Sequence, residues 1–490
     1  MKNNFVVRTR FAPSPTGYMH IGNLRTALYA YLYARANNGV FVLRIEDTDR
    51  RRYVDGAVDV IYKTLALSGL KYDEGPDIGG DYGPYVQSER LDVYKKYAEM
   101  LVEKGAAYYC FCDKSEDDMQ DKENFAGYDR SCRGIDPLEA AEKVRNGAAF
   151  VIRQKMPLSG VTVYNDAVFG EIKVDNSELD DQVLIKRDGM PTYNFANVVD
   201  DHLMNITHVI RGTEYIISTP KYKLLYEAFG WEVPMFIHLP LIMGQNEDGS
   251  VSKLSKRHGA TSFEDLMNMG YLSEAIINYI ALLGWNPKTN EEIFTLKQLE
   301  DKFSLAGISR SPSVFDYKKL DWINSQYLSN LSDEEFAQLS YPYAGDIKDN
   351  LKTNWIKVAA ILKTRVSRLD EVAEKIAFLN ETPDYDIALY ENKKNKSSVE
   401  TSISVLSDLS EILKSNVKSW DNDSLFSVLS EYAKEKNIKT GHVMWPLRIA
   451  LSGLAVTPGG ATEIMEILGE EESMLRIETA RKRLENALSK

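Results

Sequence analysis

The sequence predicts an α/β domain with a parallel sheet, interrupted by an α+β insertion and followed by an all-α C-terminal third. The N-terminal stretch follows a strand–helix–strand order, and the middle of the chain combines turn residues with short strand-like runs. From about residue 334 onward, apolar residues recur every three or four positions. A chain of 490 residues is also long enough for roughly two to four domains.

The first predicted unit is a β-α-β segment. The apolar run Phe5–Val7 predicts a strand, and the run Val40–Ile45 predicts a second one. Between them a helix is predicted, which Asn38-Gly39 ends because glycine tolerates the left-handed conformation beyond a helix end. The apolar residues at helical spacing are Leu24, Ala27, Leu28, Tyr31 and Leu32. A strand, a helix and a strand in this order make half of a mononucleotide-binding sheet, which predicts a Rossmann-like domain.

Ligands of such sheets bind beyond the carboxyl ends of the strands. The polar residues that we expect at that edge are Arg10, Ser14, His20 and Glu46. This edge is therefore the first place to look for a functional site.

The rest of the chain is predicted in three further parts. Residues from about 86 to 192 form an insertion, which carries all the cysteines and strand-like runs such as Ala149–Arg153. Phe195–Ile210 then returns to the sheet. A helical segment from about 260 to 333 bears Trp285 and Trp322, and the apolar periodicity from about 334 to 490 predicts helices only.

Composition excludes several classes of protein. The chain is 44% hydrophobic and 27% charged, with no run long enough to span a membrane and no apolar core of a signal peptide. Three cysteines argue against a disulfide framework and for a reducing cytoplasm. The net charge of −13 does not favour a nucleic-acid partner, but phosphate binding needs only a local basic track. We expect a cytoplasmic protein with no membrane partner.

Two distant motifs could grip a triphosphate from two sides. Pro13–Asn23 pairs His20 with Gly22 at a strand-to-helix turn, and Lys253–Arg257 places two lysines around a serine. Taken singly, His20 could be structural and the lysines a solvated basic loop. Neither a complete phosphate-loop motif nor a dinucleotide fingerprint occurs at the turn. The conjunction of the two motifs favours chemistry at the α-phosphate of ATP.

These motifs carry a resemblance to a known family. Pro13–Asn23 resembles the His-Ile-Gly-His signature of class I aminoacyl-tRNA synthetases, and Lys253–Arg257 resembles their Lys-Met-Ser-Lys-Ser loop. Further segments are similar to bacterial glutamyl-tRNA synthetases: Arg10–Gly17, Arg44–Arg50, Gly189–Asp201, Val209–Glu214 and Phe315–Leu320. The chain departs from these patterns at Asn23, Leu254, Arg257 and Val86, and both lysines of the loop are retained.

The resemblance implies an activity and a domain order. A ligase of this family activates glutamate with ATP and Mg²⁺ and transfers it to the terminal ribose of tRNA(Glu), with tRNA(Gln) as a further substrate left open. The implied domains are two catalytic halves at 1–85 and 193–259, an acceptor-end-binding insertion at 86–192, a stem-contact bridge at 260–333, and an anticodon-binding domain at 334–490. We also expect a monomer.

The resemblance also implies roles for individual residues. The implied catalytic residues are His20, Lys253 and Lys256. The implied glutamate pocket consists of Arg10, Ser14, Glu46, Tyr193, Asn197 and Arg211. The implied ATP contacts are His20, Gly22, Asn23, Glu214, Ile242, Lys253, Ser255 and Lys256. Which arginine takes the side-chain carboxylate of glutamate stays open, as does the choice between adenine contact and core packing for Ile242.

The three cysteines lie within one short stretch. Cys110, Cys112 and Cys132 offer three thiolates, one short of a tetrahedral zinc site, and no histidine lies between residues 21 and 201. With Tyr128, the arrangement resembles the structural zinc site in the insertion of some members of this family. The alternative is three reduced thiols that pack as small apolar groups.

Three other functions are compatible with parts of the sequence. They are a tRNA-modifying glutamyl transferase of the same catalytic fold, a nucleotidyltransferase that activates a small metabolite, and a non-catalytic RNA-binding module. The first two would not need about 160 further residues after the catalytic body, and the third would not need His20 and the two lysines.

Overall fold

The computed structural model describes residues 6–49, 51–112, 128–259 and 261–489, apart from the side chain of Lys256. Within these residues the chain forms two compact units. Unit 1 runs to Asn268 and includes Ser273–Lys319, whereas unit 2 comprises Met269–Leu272 and the chain from Leu320 onward. None of the helices in these residues has the length and apolarity that crossing a membrane requires.

The strands all belong to unit 1. In chain order they are β1 (Arg8–Phe11), β2 (Val40–Leu43), β3 (Ala107–Cys110), β4 (Val151–Gln154), β5 (Val161–Asp166), β6 (Gly170–Asp175), β7 (Val183–Ile185), β8 (His208–Gly212), β9 (Met235–Leu239), β10 (Ile242–Gln245), β11 (Val251–Lys253) and β12 (Ser313–Val314). The helices of the same unit are α1 (Ile21–Ala36), α2 (Ala57–Leu67), α3 (Leu91–Glu103), α4 (Pro137–Arg145), α5 (Tyr193–Leu203), α6 (Thr219–Phe229), α7 (Phe263–Asn268), α8 (Ser273–Leu282) and α9 (Leu296–Lys302).

A parallel arrangement of strands positions the site. β1 pairs with β2, and β8 pairs with β9, both in parallel. A hydrogen bond from the Thr207 backbone N–H to the Arg8 carbonyl (3.0 Å) joins the start of β8 to β1. The carboxyl ends of these strands therefore meet at one edge, and the predicted Rossmann-like domain is confirmed.

The first strand begins later than the sequence predicts. The apolar run pointed to Phe5–Val7, but β1 covers Arg8–Phe11, and Phe5 lies outside the described residues. The pattern misleads because Arg8 and Arg10, although charged, are buried and paired with Glu74 and Asp201 respectively. Buried charges that are paired can occupy strand positions that apolar side chains would otherwise fill.

Helix α1 forms where the periodicity predicts it, and all five of the predicted apolar positions are buried. Its end differs in one detail. Asn38, with a φ of 50°, takes the left-handed conformation, and Gly39 does not. Gly39 is needed for a different reason, because a Cβ there would lie 2.2 Å from the carbonyl oxygen of Val7.

The middle of the chain contributes to two sheets. β3, β4 and β7 form an antiparallel sheet, in which β4 begins two residues later and ends one residue later than the predicted run Ala149–Arg153. β5 and β6 form a hairpin whose strand β5 meets β9 in parallel at Asp166 and Phe236. The hairpin thereby extends the sheet of β8 and β9, in the order β6-β5-β9-β8.

Unit 2 is helical, and no strand occurs in the part of it that the structure describes. Its helices are α10 (Tyr317–Asn330, from Leu320 on), α11 (Asp333–Ser340), α12 (Asp349–Thr353), α13 (Trp355–Leu362), α14 (Val372–Asn380), α15 (Val399–Asn416), α16 (Asn422–Glu435), α17 (Thr440–Ser452), α18 (Ala461–Leu468) and α19 (Glu470–Leu488). One apolar cluster fills the unit, with Leu406, Leu429 and Leu447 completely buried. The predicted all-α C-terminal domain is confirmed.

Candidate active site

His20 caps the N-terminus of α1 at the carboxyl end of β1. Its Nδ1 accepts a hydrogen bond from the Gly22 backbone N–H (3.1 Å), so a neutral imidazole carries its proton on Nε2. Burial lowers the pKa of His20, and the charge of Lys253 lowers this pKa further. His20 is therefore a neutral Nε2–H donor at a helix N-terminus, where the helix dipole already favours anions.

The lysine motif lies beside this histidine. Lys253 ends β11, which pairs antiparallel with β10, and its side chain is exposed. The segment after the motif returns to α1: the Ile21 backbone N–H donates to Thr261 O (2.9 Å), and the Phe263 backbone N–H donates to Met19 O (3.1 Å). The two motifs, distant in sequence, thus border one site. Lys256 begins a 3₁₀ helix, and its side chain lies outside what the structure describes.

His258, which directly follows the motif, holds the loop in place. The Ser255 backbone N–H donates to its Nδ1 (3.0 Å), and its Nε2 lies 2.9 Å from Asn246 Oδ1. The ring lies against Gly244, where a Cβ would come within 2.4 Å of the imidazole. The loop is therefore anchored to the β10–β11 hairpin. No motif in the sequence identified His258 as a site residue, although its position next to Arg257 was an available signal.

A buried network of charges lies under the strand ends. Arg44 is fully buried and donates to Glu46 Oε1 and to Asp201 Oδ1, each at 2.8 Å. Arg10 Nε donates to the same Asp201 carboxylate at 3.0 Å. Burial alone would raise the pKa of Asp201, but Arg10 and Arg44 outweigh it and hold this pKa below its ordinary value. Asp200, the neighbouring residue, accepts from Arg90 at 2.8 Å.

Sequence reasoning missed the roles of Arg44, Asp200 and Asp201. All three lie within segments that resemble the family, but nothing in the local pattern pairs them. The available signal was two adjacent aspartates directly after the apolar pair Val198-Val199 in α5.

Loss of Arg44 is expected to destabilise unit 1 strongly. Arg44→Met would leave Asp201 and Glu46 buried without this cation, and removing one partner of a buried ion pair costs about 3–5 kcal/mol. The exposed pair of Arg52 with Asp49 (2.6 Å) provides the matched control. Arg52→Met should cost at most about 1 kcal/mol. Urea unfolding followed by circular dichroism measures both changes, and equal losses in the two variants would contradict the account.

Glu46 presents an unsatisfied carboxylate oxygen to the site. Its Oε1 is bonded to Arg44, whereas its Oε2 is buried and has no hydrogen-bond partner in the described part of the chain. Burial raises the pKa of Glu46, although Arg44 and Arg10 pull it down. A buried polar atom without a partner carries a desolvation cost that a ligand can relieve. A cationic ligand group would satisfy Oε2.

Arg211, near the end of β8, differs from Arg10 in its partners. Arg10 is neutralised by Asp201, whereas Arg211 forms no ion pair with a carboxylate among the described residues. Its Nε donates to His238 Nε2 (3.2 Å), and its Nη2 donates to Thr219 Oγ1 (2.8 Å). The guanidinium also lies 4.5–5.2 Å from three aromatic ring centres, those of Tyr215, Tyr222 and Phe236. No carboxylate of the described residues therefore offsets the positive charge of Arg211, which leaves it available to an anionic ligand.

Two tyrosines lie between these opposite charges. The Tyr193 and Tyr215 rings are 5.5 Å apart. In addition to burial, the charge of Glu46 raises the pKa of both hydroxyls, and the charge of Arg211 lowers it. Burial raises the pKa of Tyr193, and Glu46 adds to this effect, so the phenol stays neutral. Asn197, one turn further along α5, is buried and donates to the Tyr193 carbonyl (2.9 Å).

The remaining predicted residues differ in their exposure. Ser14 and Asn23 are exposed, on the turn and on the first turn of α1 respectively. Glu214 is exposed just after β8, and Ser255 lies beside His258. Ile242 is only 5% exposed, and its carbonyl accepts from the Leu254 backbone N–H (3.0 Å).

The three cysteines converge at the end of β3. Cys110, at the end of β3, Cys112 and Cys132 have sulfur atoms within 4.8 Å of one another. The Tyr128 hydroxyl lies 3.2 Å from the Cys110 sulfur and 4.0 Å from the Cys112 sulfur. A tetrahedral zinc with Zn–S bonds of about 2.3 Å needs sulfurs about 3.8 Å apart. The Cys112 and Cys132 sulfurs lie 3.3 Å apart, so small shifts would let the three cysteines hold such an ion, with the Tyr128 hydroxyl beside them.

The chain matches two family models. The first, described as tRNA synthetases class I (E and Q), catalytic domain, matches residues 6–322. The second, described as anticodon binding domain, matches residues 335–481.

Relatives of similar length share about half of the sequence. A glutamate–tRNA ligase of Clostridium novyi (strain NT) is 53% identical over 487 residues, which cover 99% of each chain. One from Clostridium acetobutylicum is 52% identical over 487 residues, covering 98% of this chain and 99% of the relative. Among solved structures, the glutamate tRNA ligase of Elizabethkingia meningosepticum in complex with its amino acid superimposes with a TM-score of 0.85 at 34% identity, covering 98% of this chain and 99% of that chain.

Proposed function

This chain belongs to the class I tRNA synthetases of the glutamate and glutamine branch, and from that membership we propose that it is a glutamate–tRNA ligase. The observation that carries the proposal is a pocket with opposite charges at its two ends. Glu46 Oε2 lacks a partner, and Arg211 has no carboxylate partner among the described residues. Glutamate supplies the complementary ammonium and carboxylate groups. Relatives named glutamate–tRNA ligase, at 51–53% identity over 96–99% of the chain, support the proposal.

Glutamate binding follows from these charges. The ammonium group pairs with Glu46 and satisfies its buried oxygen. The side-chain carboxylate pairs with Arg211, because the charge of Arg10 is already offset by Asp201. Arg10 then stabilises the buried charge network beside the pocket through its pair with Asp201. Ser14 and Asn197 supply neutral hydrogen bonds to glutamate. The ion pair of Arg10 with Asp201 supports Arg211, rather than Arg10, as the proposed partner of the side-chain carboxylate.

The first chemical step occurs at the α-phosphate of ATP. The α-carboxylate of glutamate attacks phosphorus, the bond to the β-phosphate oxygen breaks, and pyrophosphate leaves with the electron pair. His20 donates its Nε2–H to phosphate oxygens, and Lys253 and Lys256 neutralise the charge that develops on pyrophosphate. ATP enters with Mg²⁺, which neutralises phosphate charge.

Other residues hold the nucleotide around this reacting centre. Gly22 and Asn23 bring the N-terminus of α1 to the phosphates, and Ser255 lies between the two lysines. Glu214 is proposed to bind the ribose. Ile242 is buried, which agrees both with an apolar contact to adenine and with core packing. We propose that Ile242 makes an apolar contact to the adenine ring.

The second step transfers glutamate to tRNA. A hydroxyl of the terminal ribose attacks the carbonyl carbon of glutamyl-adenylate and loses its proton. The bond from that carbon to the phosphate oxygen breaks, AMP leaves with the electron pair, and an ester forms. We propose that residues 86–192 bind the acceptor end, that residues 260–333 contact the stem, and that the helical residues 334–490 read the anticodon. The match of 335–481 to an anticodon binding domain supports the last role.

A zinc ion is proposed for the cysteine cluster. Cys110, Cys112 and Cys132 would supply thiolates and Tyr128 the fourth ligand, and the bound ion would tie β3 to the segment that follows Tyr128. The site lies in the insertion, so its role would be structural. No reaction step depends on it.

Zinc content gives a direct prediction. Protein purified without chelator should contain about one zinc per chain by elemental analysis, because three thiolates and a phenol complete a tetrahedral site. Cys132→Ser should lose the ion and melt at a lower temperature. Ser131→Ala is the control, because Ser131 Oγ lies 3.1 Å from the Cys112 sulfur without being a proposed ligand. Zinc-free wild-type protein with unchanged melting and full activity would end the proposal.

We further propose a monomer that works in a reducing cytoplasm. Cys110, Cys112 and Cys132 form no disulfide with one another, which agrees with a reducing compartment. Light scattering should give the mass of one chain, 55.5 kDa.

One assay separates this function from the alternatives. Labelled glutamate, ATP and total tRNA should give acid-precipitable label. Mild base should release this label, because an ester joins glutamate to the terminal ribose. A glutamyl transferase that modifies the body of tRNA would still label tRNA whose terminal ribose has been oxidised by periodate, whereas a glutamate–tRNA ligase would not. A small-molecule nucleotidyltransferase would give no precipitable product, and an RNA-binding module would consume no ATP. Purified tRNA(Gln) in the same assay decides whether this second tRNA is also charged.

A further inference from the structure

A histidine buried beside the pocket has no role in the steps above. His238 lies on β9, and its side chain and that of its partner Asp166 are both inaccessible to solvent. The two side chains meet at 2.7 Å, between His238 Nδ1 and Asp166 Oδ2. A buried titratable pair of this kind is costly to maintain unless its hydrogen bonds are complete.

The hydrogen bonds of Asp166 fix the state of this histidine. Asp166 Oδ1 accepts from the backbone N–H groups of Val168 and Phe169, each at 2.9 Å. Asp166 Oδ2 accepts from the His238 backbone N–H at 3.1 Å and lies 2.7 Å from its Nδ1. Every neighbour of the carboxylate is a donor, so Nδ1 carries the proton. In the neutral ring Nε2 is then an acceptor.

Nε2 faces Arg211. It accepts from Arg211 Nε at 3.2 Å, while Arg211 Nη2 donates to Thr219 Oγ1. Thr219 Oγ1 in turn donates to the Tyr215 carbonyl at 2.8 Å, so its role toward Arg211 is that of an acceptor. These bonds use the Nε–H and one Nη2–H of the guanidinium. Its other three N–H groups remain for a ligand.

We propose that His238 is a positioning residue for the recognition of glutamate, with Asp166 fixing its tautomer and Arg211 as the group that it orients. The proposal rests on the proposed function, in which Arg211 binds the side-chain carboxylate. A guanidinium can bind a carboxylate through two parallel bonds only when its plane is held in one direction. His238 and Thr219 hold that plane from the side opposite the ligand.

Asp166 connects the pocket to a separate part of the chain. Asp166 ends β5, where this strand meets β9 at Phe236. β5 lies within residues 86–192, the proposed acceptor-end-binding insertion. The insertion thus supplies the residue that sets the orientation of the amino-acid pocket.

Two near-isosteric variants test the proposal. In His238→Asn the amide nitrogen takes the place of Nδ1 and retains the bond to Asp166, but nothing reaches Arg211. In His238→Gln the amide oxygen takes the place of Nε2 and can still accept from Arg211. We expect His238→Asn to raise the KM for glutamate at least about tenfold, as loss of an outer partner does at metal sites, with the KM for ATP within about twofold. His238→Gln should remain within about threefold of wild type.

A second route leaves His238 itself unchanged. Asp166→Asn replaces the oxygen that accepts from Nδ1 by an amide group that donates. The proton of the imidazole then moves from Nδ1 to Nε2, so Nε2 becomes a donor that faces Arg211. The KM for glutamate should rise here as well. His208 on β8 supplies the matched control: it is also buried, but it contacts Thr207 and Tyr33. His208→Asn and His208→Gln should behave alike.

The outcomes are distinguishable. Equal KM values for glutamate in His238→Asn and His238→Gln, or an unchanged value in Asp166→Asn, would overturn the positioning role while leaving the function intact. Loss of thermal stability without any change in the KM for glutamate would show a structural pair only, which also overturns it. An Arg211→Ala variant with unaltered glutamate binding would instead refute the assignment of the pocket in the proposed function.

Discussion

Replacing His20 by asparagine is expected to lower the rate of glutamyl-tRNA formation by roughly 10²–10³-fold, the loss that follows removal of one donor to a developing oxyanion. Asparagine is a good N-cap, so it can still accept from the Gly22 N–H that His20 Nδ1 holds at 3.1 Å. It cannot reach the position of Nε2. The variant therefore separates the cap of α1 from the phosphate contact. Single-turnover charging of tRNA measures the change.

The controls for this result concern the fold and the partner loop. His20→Asn should melt within a few degrees of wild type, whereas His20→Ala removes the cap as well and should be less stable. Lys256→Ala should also lower charging by at least about a hundredfold, because it removes a cation from the leaving pyrophosphate. A rate within a fewfold of wild type in His20→Asn or Lys256→Ala would remove that residue from the ATP grip.

Arg211→Ala is expected to weaken glutamate binding far more than ATP binding. The substrate carboxylate would remain in a pocket lined by aromatic rings without its cation, and losing one partner of a buried charge pair costs about 2–5 kcal/mol. At about 1.4 kcal/mol per tenfold, the KM for glutamate should rise at least about thirtyfold. Steady-state charging with glutamate and ATP varied in turn measures both constants.

Arg211→Lys provides the matched comparison for this prediction. It keeps the charge but loses the planar fork, so its KM for glutamate should lie between those of wild type and Arg211→Ala. A KM for glutamate that stays constant while the KM for ATP rises would show that Arg211 belongs to the nucleotide side of the site.

The sequence predicted those parts of the fold that local pattern determines. The period of Leu24, Ala27 and Leu28 identified α1, and the close spacing of the cysteines anticipated a cluster that the structure brings together. The start of β1 was misplaced because hydrophobicity alone cannot reveal that Arg10 will be buried against Asp201. Charged strand residues become predictable only when the distant partner is known.

The same reason explains what the sequence did not reveal about the site. Motifs predicted residues at the strand ends, but Asp166, His238 and Arg211 lie on three different strands, and nothing in their spacing couples them. Sheet order brings β5, β9 and β8 together in an order unlike that of the chain. The choice between Arg10 and Arg211 as the substrate-binding residue likewise could not be made from the sequence, because it depends on which carboxylates lie near each guanidinium.

The most direct measurement is charging of purified tRNA(Glu) with labelled glutamate and, in parallel, labelled glutamine, using wild-type protein with ATP and Mg²⁺. A pocket with Glu46 at one end and, at the other, Arg211 without a carboxylate partner among the described residues predicts base-labile, acid-precipitable product with glutamate and essentially none with glutamine. Equal incorporation of glutamine, or no ester product with glutamate, would contradict the central claim that these opposite charges select glutamate for transfer to tRNA.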